Sequence, residues 1–152
     1  MSDGVNVVIA GATGAVGEAL REILEERKFP VAELTLLASE RSEGKRLQFR
    51  GKSVRVQRLD QFDFSGTSIG LFSAGGELSA DYAPKAAAAG CIVIDNTSQF
   101  RTDADIPLVV PEVNGQRLDD PNPRNIIANP NCSTIQMVVA LKPIHDVAGI
   151  RD

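Results

Sequence analysis

The start of the chain alternates between strand-like and helix-like patterns. Residues 5–10 (VNVVIA) are short, apolar and rich in β-branched side chains, which predicts a buried strand. A glycine-rich turn follows, and then apolar residues recur at helical spacing from Val16 to Leu24, with acidic and basic residues largely on the opposite face. Pro30 ends this helix, and residues 34–38 (LTLLA) predict a second buried strand. This order is typical of the βαβ unit of a parallel sheet.

Shorter elements continue the pattern. Residues 47–50 and 54–57 alternate apolar and polar side chains around Gly51, which predicts a hairpin at the sheet edge or beside a bound cofactor. Helices are predicted over 79–89 and from Cys132 through Leu141. Further short strands are predicted at 69–72, 91–94, 108–110 and 126–128. The sequence therefore predicts one α/β, Rossmann-like three-layer domain over residues 1–152, with a mostly parallel sheet and the cofactor at the carboxyl ends of the strands.

Composition and charge exclude several classes of protein. The 152 residues include 16 Lys+Arg and 20 Asp+Glu, a net charge of −4, and the scattered basic residues argue against a nucleic-acid partner. No apolar run approaches the roughly 18 residues of a membrane span, and the first residues lack the pattern of a secretory signal. Two cysteines and one histidine make neither a disulfide scaffold nor a zinc set. We therefore expect free thiols, no metal and a cytoplasmic location.

The glycine-rich turn has the spacing G-x-x-G-x-x-G, with glycines at 11, 14 and 17. Gly11 permits a tight turn off the strand, Gly14 lets the backbone approach a pyrophosphate, and Gly17 allows close packing of helix on strand. The helix that follows offers free N–H groups and a positive dipole end to phosphates. The turn predicts dinucleotide binding, and the alternative is a plain βα turn whose glycines serve packing alone.

The end of the second strand bears on the choice of cofactor. NAD-binding units tend to place an acidic residue there to hold the ribose hydroxyls. Here Ser39 can donate to a 2′-phosphate and Arg41 can pair with it through a charge-assisted fork, whereas Glu40 is expected to point into solvent. These residues favour NADP over NAD. The alternative for Arg41 is a solvated loop charge.

Residues 128–136 (ANPNCSTIQ) carry the clearest chemical signal in the chain. A buried strand ends, Pro130 turns the backbone, and a helix begins at or just after Cys132. A thiol at a helix N-terminus has a lowered pKa, and the thiolate is the nucleophile of covalent catalysis. Asn131 and nearby N–H groups could hold a developing oxyanion, although Asn131 as a helix N-cap is the alternative. Cys91 is predicted to be a buried apolar side chain.

Six motifs, in the same order along the chain, resemble those of aspartate-semialdehyde dehydrogenases. They are GATGAVG at 11–17, ASERS at 38–42, FSAGG at 72–76, DNTSQFR at 95–101, VPEVN at 110–114 and NPNCSTIQ at 129–136. The resemblance implies NADP-dependent interconversion of aspartyl phosphate and aspartate β-semialdehyde, through a thioester on Cys132, in lysine, threonine and methionine biosynthesis. Acetylglutamyl-phosphate reductases, which usually carry Gly before the cysteine, and a non-catalytic dinucleotide-binding module remain alternatives.

The resemblance also implies residue roles. It matches Arg101 to an arginine that clamps phosphate and Asn131 to a residue that helps bind phosphate and the acyl oxygen, although a solvated charge is the alternative for Arg101. The cofactor-binding positions that it implies are Gly11, Thr13, Gly14, Ala15, Val16, Ser39, Arg41, Ser42, Ser73 and Gly75.

The resemblance implies a histidine base, and the chain has one histidine, His145. It follows Cys132 by 13 residues, about 20 Å along a helix, whereas a hydrogen bond needs about 3 Å. His145 is therefore predicted to be a helix-end or surface residue. In the family, the base and the arginine that binds the substrate carboxylate lie in a second domain. We expect residues 1–152 to be the amino-terminal part of a homo-oligomeric enzyme, inactive alone, with an apolar patch exposed on the last helix.

Overall fold

A computed structural model of the protein describes residues 4–150. Their strands form one seven-stranded sheet. In chain order its strands are β1 (Val5–Ala10), β2 (Val31–Ala38), β3 (Arg46–Phe49), β4 (Lys52–Arg58), β5 (Ile69–Phe72), β6 (Ile92–Asp95) and β7 (Ile126–Ala128). Across the sheet they lie in the order β3-β4-β2-β1-β5-β6-β7. Each neighbouring pair is parallel apart from β3 and β4. The predicted α/β architecture with a mostly parallel sheet is confirmed.

Helices follow the strands as a doubly wound fold requires. They are α1 (Ala15–Glu26), α2 (Gly76–Ala88), α3 (Pro111–Asn114) and α4 (Cys132–Ala148). Short 3-10 turns occupy Glu40–Ser42, Leu59–Gln61 and Gly115–Asp119. The last helix continues seven residues beyond the predicted end at Leu141 and accommodates Pro143 within it.

One predicted strand is wrong. Residues 108–110 form no strand, and Leu108 makes only an isolated parallel bridge to Ala128. Pro107 and Pro111 flank this segment, and proline has no N–H to extend a ladder. Two bonds remain, from Ala128 N–H to the Pro107 carbonyl (2.9 Å) and from Val109 N–H to the Ala128 carbonyl (3.1 Å).

The sheet is buried on both faces. Alternation along β1 sends Val7 and Ile9 into one hydrophobic cluster and Val8 into the other. Leu20 of α1 packs against the first cluster, and Ala83 of α2 belongs to the second. Helices thus cover the two sides of the sheet, as a parallel sheet requires. The predicted three layers are present, and the loops that carry chemistry lie at the carboxyl edge of the sheet.

The predicted hairpin forms one edge of the sheet. β3 pairs antiparallel with β4, and β4 lies parallel to β2 with Arg58 opposite Ala38. The carboxyl end of β4 is therefore beside the carboxyl end of β2. This pairing brings the residues after β4 to the edge of the sheet at which the glycine turn lies.

The last helix has no buried residue. Most of its large apolar side chains are open to solvent, with Met137 55%, Ile144 56% and Val147 90% exposed. The expected exposure of apolar surface on this helix is therefore confirmed. No helix within residues 4–150 combines the length and the apolar character that crossing a bilayer requires.

Candidate active site and dinucleotide cleft

The glycine turn between β1 and α1 is fixed by close packing at two of its three glycines. Gly11 has a φ of 87°, and a Cβ there would lie 2.7 Å from the Ser73 carbonyl oxygen. A Cβ on Gly17 would overlap the Gly11 carbonyl oxygen and approach the Ala12 Cα to 2.7 Å. Any larger residue at either position forces backbone against backbone. The predicted tight turn at Gly11 and the predicted close packing at Gly17 are confirmed.

Gly14 has a different role. It is the N-cap residue of α1, and no side chain caps the helix. The N–H groups of the first helical turn therefore lack a partner within the helix, and they face an exposed turn. Uncapped N–H groups together with the helix dipole suit an anionic pyrophosphate. The residues present at this turn fit a dinucleotide.

A cleft of about 450 Å³ opens beside the glycine turn. Its walls are the turn itself, the carboxyl ends of β2, β4 and β5, and two side chains of α2, Leu78 and Tyr82. The cleft lies where the chain order reverses, with β2 on one side of β1 and β5 on the other. Ligands of doubly wound folds bind at this kind of switch point.

The residues expected to bind cofactor divide into those in the cleft and those beside it. Five line the cleft: Gly11, Thr13, Gly14, Ser39 and Ser73. Ala15 and Val16 form the exposed first turn of α1. Gly75 is the exposed N-cap residue of α2, with a φ of 103° that favours glycine.

Two residues expected at a 2′-phosphate do not line the cleft. Arg41 is exposed on the 3-10 turn after β2. Ser42 is buried, and its Oγ lies 3.5 Å from the Thr13 Oγ1, so its side chain joins the end of β2 to the glycine turn. The basic side chain that does line the cleft is Arg58, which sequence analysis missed. The parallel pairing of β4 with β2 would have pointed to it.

Arg58 bonds two acidic residues at the mouth of the cleft. Its Nε and Nη2 donate to the two carboxylate oxygens of Asp60, at 3.0 and 2.7 Å. Its Nη1 lies 3.0 Å from the Glu40 Oε1. The hydrogen bond from Arg58 lowers the pKa of the Asp60 carboxyl, although desolvation acts against this. Glu40 is exposed, as expected, but its carboxylate is paired rather than free in solvent.

A buried carboxylate at the end of β6 organises the next loop. Asp95 is 0% exposed and accepts hydrogen bonds from the Ser79 Oγ (2.8 Å), the Thr97 Oγ1 (2.7 Å) and the Thr97 N–H (3.3 Å). Ser79 belongs to α2, and Thr97 belongs to the loop that contains Arg101. Asp95 therefore fastens that loop to the helix. The role of Asp95 was not predicted from the sequence, because a lone Asp in a polar loop resembles a surface charge.

Arg101 is held against the turn that precedes α4. Its Nε donates to the Asn129 carbonyl at 3.0 Å and its Nη2 donates to the Asn96 carbonyl at 3.1 Å. The two asparagines are joined by a bond of 2.6 Å from the Asn129 Nδ2 to the Asn96 Oδ1. Arg101 is half-buried rather than a solvated loop charge. Three of its five N–H donors remain available to a ligand.

Cys132 is the first residue of α4, and it is exposed. Asn131 is the N-cap residue, and its Oδ1 accepts a hydrogen bond of 2.9 Å from the Ser133 N–H. The capping interpretation of Asn131 is confirmed, and its Nδ2 keeps two donors beyond the cap. Cys91 is fully buried, as predicted, and desolvation raises its pKa to about 11. The chain therefore exposes one thiol at a helix start and buries the other in the core.

His145 lies far from this thiol. α4 runs without interruption from Cys132 to Ala148, so the 13 residues between the two side chains correspond to about 20 Å. His145 is exposed, and its Nδ1 accepts a hydrogen bond of 3.2 Å from the Ile150 N–H. The expectation that His145 is a helix-end residue out of reach of Cys132 is confirmed.

The parallel sheet, the uncapped glycine turn and the cleft at the switch point define a dinucleotide-binding domain. Residues 6–120 match the family described as "Semialdehyde dehydrogenase, NAD binding domain". The chain belongs to this family. The resemblance drawn from the motifs is therefore confirmed, and the family match supports the binding of a nucleotide cofactor by this domain.

Similar proteins point to the same family. The chain is 67% identical over 150 residues to aspartate-semialdehyde dehydrogenase 2 of Vibrio cholerae, covering 99% of this chain and 44% of that protein. A crystal structure of the V. cholerae enzyme II complexed with ASA matches with a TM-score of 0.95, at 67% identity, over 97% of this chain and 48% of that chain. A Candida albicans aspartate semialdehyde dehydrogenase with NADP matches with a TM-score of 0.79, at 27% identity, over 97% and 48% of the two chains. The chain spans about half the length of these relatives.

Proposed function

We propose that this chain is the cofactor-binding and nucleophile-bearing part of an NADP-dependent, phosphorylating aspartate-semialdehyde dehydrogenase of amino-acid biosynthesis. The observation that carries the proposal is the exposed Cys132, which opens α4 at the sheet edge where the dinucleotide cleft lies. β7 is three strand spacings from β1, so roughly 14 Å separates the glycine turn from the cysteine turn. A dinucleotide that extends along this edge would bring its nicotinamide toward the sulfur.

The cleft supports the cofactor half of the proposal. The first-turn N–H groups of α1 and the Thr13 hydroxyl would hold the pyrophosphate, and Ser39 and Ser73 would bind the cofactor from the ends of the flanking strands. Two observations support NADP as the cofactor: a basic side chain lines the cleft near the end of β2, and the Candida relative carries NADP in its structure. Homo-oligomeric assembly and a cytoplasmic location stay predictions from the sequence.

Cys132 is the nucleophile of the proposed reaction in the biosynthetic direction. The thiolate attacks the acyl carbon of aspartyl phosphate, inorganic phosphate leaves with the electrons of the C–O bond, and a thioester forms on sulfur. NADPH, when bound, supplies the hydride that reduces this thioester. Hydride addition to the thioester carbonyl leaves a tetrahedral oxyanion, which re-forms the carbonyl. The aldehyde is released, and the C–S bond electrons return to the Cys132 thiolate.

Two side chains near Cys132 suit the phosphate. Arg101 keeps three N–H donors beyond its two carbonyl bonds, and it is anchored to the turn that leads into α4. The Asn131 Nδ2 lies on the residue next to the nucleophile and is a donor for phosphate or the acyl oxygen. Asn131 also favours this enzyme over an acetylglutamyl-phosphate reductase, which usually carries Gly at that position.

Thiol reactivity tests the proposal. Purified protein is treated with limiting iodoacetamide at pH 7, with and without NADP, and the two cysteine peptides are quantified by mass spectrometry. We expect rapid labelling of Cys132, slowed by NADP, while Cys91 stays unlabelled in the same digest because it is buried. Labelling of Cys132 no faster than a small-molecule thiol, and unaffected by NADP, would instead support a non-catalytic dinucleotide-binding module.

A further inference from the structure

Arg58 is the one basic residue, among residues 4–150, whose side chain lines the dinucleotide cleft. Its place is set by the sheet, because β4 pairs with β2 and Arg58 lies opposite Ala38. The cleft also contains Ser39 and Glu40, the next two residues of the chain after Ala38. The Arg58 side chain is 21% exposed, so most of it is packed at this wall of the cleft.

Glu40 follows β2 closely, where many NAD-binding domains place the acid that holds the ribose hydroxyls. In this structure its carboxylate is paired with the Arg58 guanidinium at 3.0 Å. A carboxylate paired with a cation is a weaker acceptor for ribose hydroxyls than a free one, and it repels an added phosphate less. Asp60, the other acid at the mouth of the cleft, is held by the same guanidinium.

The guanidinium also keeps capacity for a further anion. Three of its five N–H donors are directed at Asp60 and Glu40, which leaves two for a ligand in the cleft. Arginine forks match phosphate geometry closely. Arg41, the residue that the sequence favours for this role, is exposed and does not line the cleft.

We propose that Arg58 determines the cofactor preference of this domain, by neutralising Glu40 and Asp60 and by donating to the 2′-phosphate of NADP. This inference rests on the proposed NADP-dependent function and names a specificity residue within that site. Arg58 is not needed for the pyrophosphate or the nicotinamide in this scheme. Its removal therefore affects the phosphorylated dinucleotide selectively.

The test measures dissociation constants of NADPH and NADH by titration of the purified protein, for the wild type and five variants: R58A, R55A, E40Q, R58A/E40Q and R41A. R58A removes the proposed donor, and R55A is the matched control, because Arg55 lies on the same strand, carries the same charge, and is exposed outside this cleft. E40Q and the double variant R58A/E40Q separate the neutralisation of Glu40 by Arg58 from direct hydrogen bonding of Arg58 to the 2′-phosphate. Retained NADH binding shows that each variant is folded.

We expect R58A to weaken NADPH binding roughly ten- to hundredfold, the range for a lost charge-assisted hydrogen bond, with less than about threefold change for NADH. R55A is expected to change both less than about threefold. E40Q should strengthen NADPH binding, and R58A/E40Q should recover part of the loss seen in R58A.

Three results would overturn the inference in distinguishable ways. Equal weakening of NADPH and NADH by R58A, or no change in either, rejects the role of Arg58 while leaving the proposed function intact. If R41A selectively weakens NADPH binding and R58A does not, the specificity role belongs to Arg41. A wild-type protein that binds neither dinucleotide rejects the proposed function, and the inference about Arg58 with it.

Discussion

Replacing Ser79 by alanine removes one of the three hydrogen bonds that satisfy the buried Asp95 carboxylate. Both side chains are 0% exposed, and the Ser79 Oγ lies 2.8 Å from the Asp95 Oδ1. No water from bulk solvent reaches the carboxylate to replace the lost donor without local rearrangement. The variant therefore leaves a buried charge with two donors, both from Thr97.

The expected change in the free energy of unfolding is the sum of two opposing contributions. A hydrogen bond to a charged group stabilises a protein by about 1.5–3 kcal/mol. Alanine in place of serine within α2 recovers about 0.5 kcal/mol through helix propensity. The net loss in the free energy of unfolding is therefore about 2 kcal/mol. For a domain of this size, each 1 kcal/mol shifts the melting temperature by about 2–4 °C, so the expected decrease is about 4–8 °C.

Urea denaturation followed by far-UV circular dichroism at 25 °C measures the change, and a thermal melt checks it. Ser98→Ala is the control, because Ser98 is exposed on the loop that Asp95 organises, and it is expected to stay within about 0.5 kcal/mol of the wild type. A Ser79→Ala variant as stable as this control would refute the conclusion that the hydrogen bond from Ser79 to Asp95 holds the loop against α2. A changed denaturant slope would show instead that compactness had changed.

Two further predictions test other parts of the structure. Gly17→Ala is expected to destabilise the protein by about 3 kcal/mol or more, because the added methyl group meets the backbone of Gly11 and Ala12. Gly51→Ala is the control. A Cβ at Gly51 meets open space, so this variant carries only the strain of its φ of 72°. Equal unfolding free energies for the two variants, from urea titrations, would contradict this packing. Residues 1–152 prepared alone are expected to show negligible NADPH-linked turnover, since His145 is about 20 Å from Cys132. Robust turnover in a spectrophotometric assay of that preparation would show that another group serves as the base.

Local patterns predicted the parts of the molecule that depend on neighbouring residues. The β1 strand, the turn with Gly11 and Gly17, and the helix start at Cys132 are each specified by a few adjacent residues, and the structure has all of them. The βαβ order then fixed the fold class. The burial of Cys91 followed in the same way, from an apolar run that begins after a helix-terminating glycine.

Features that depend on distant pairings were missed. Arg58 lies in the cleft only because β4 is a parallel neighbour of β2, and no spacing along the chain specifies that pairing. The buried Asp95 carboxylate accepts a hydrogen bond from Ser79, which belongs to a different element of the fold. The segment at 108–110 was assigned as a strand from its apolar residues, and the prolines on either side outweighed that propensity.

The two edge strands of the sheet affect how the protein behaves at high concentration. β3 has four residues and β7 has three, so each edge of the sheet offers few unpaired peptide groups to an approaching chain. Fibril-like growth by strand addition needs a longer template than either of these. Self-association of this domain is therefore expected to begin at the apolar side chains of α4, and to be suppressed by mild detergent rather than by blocking the sheet.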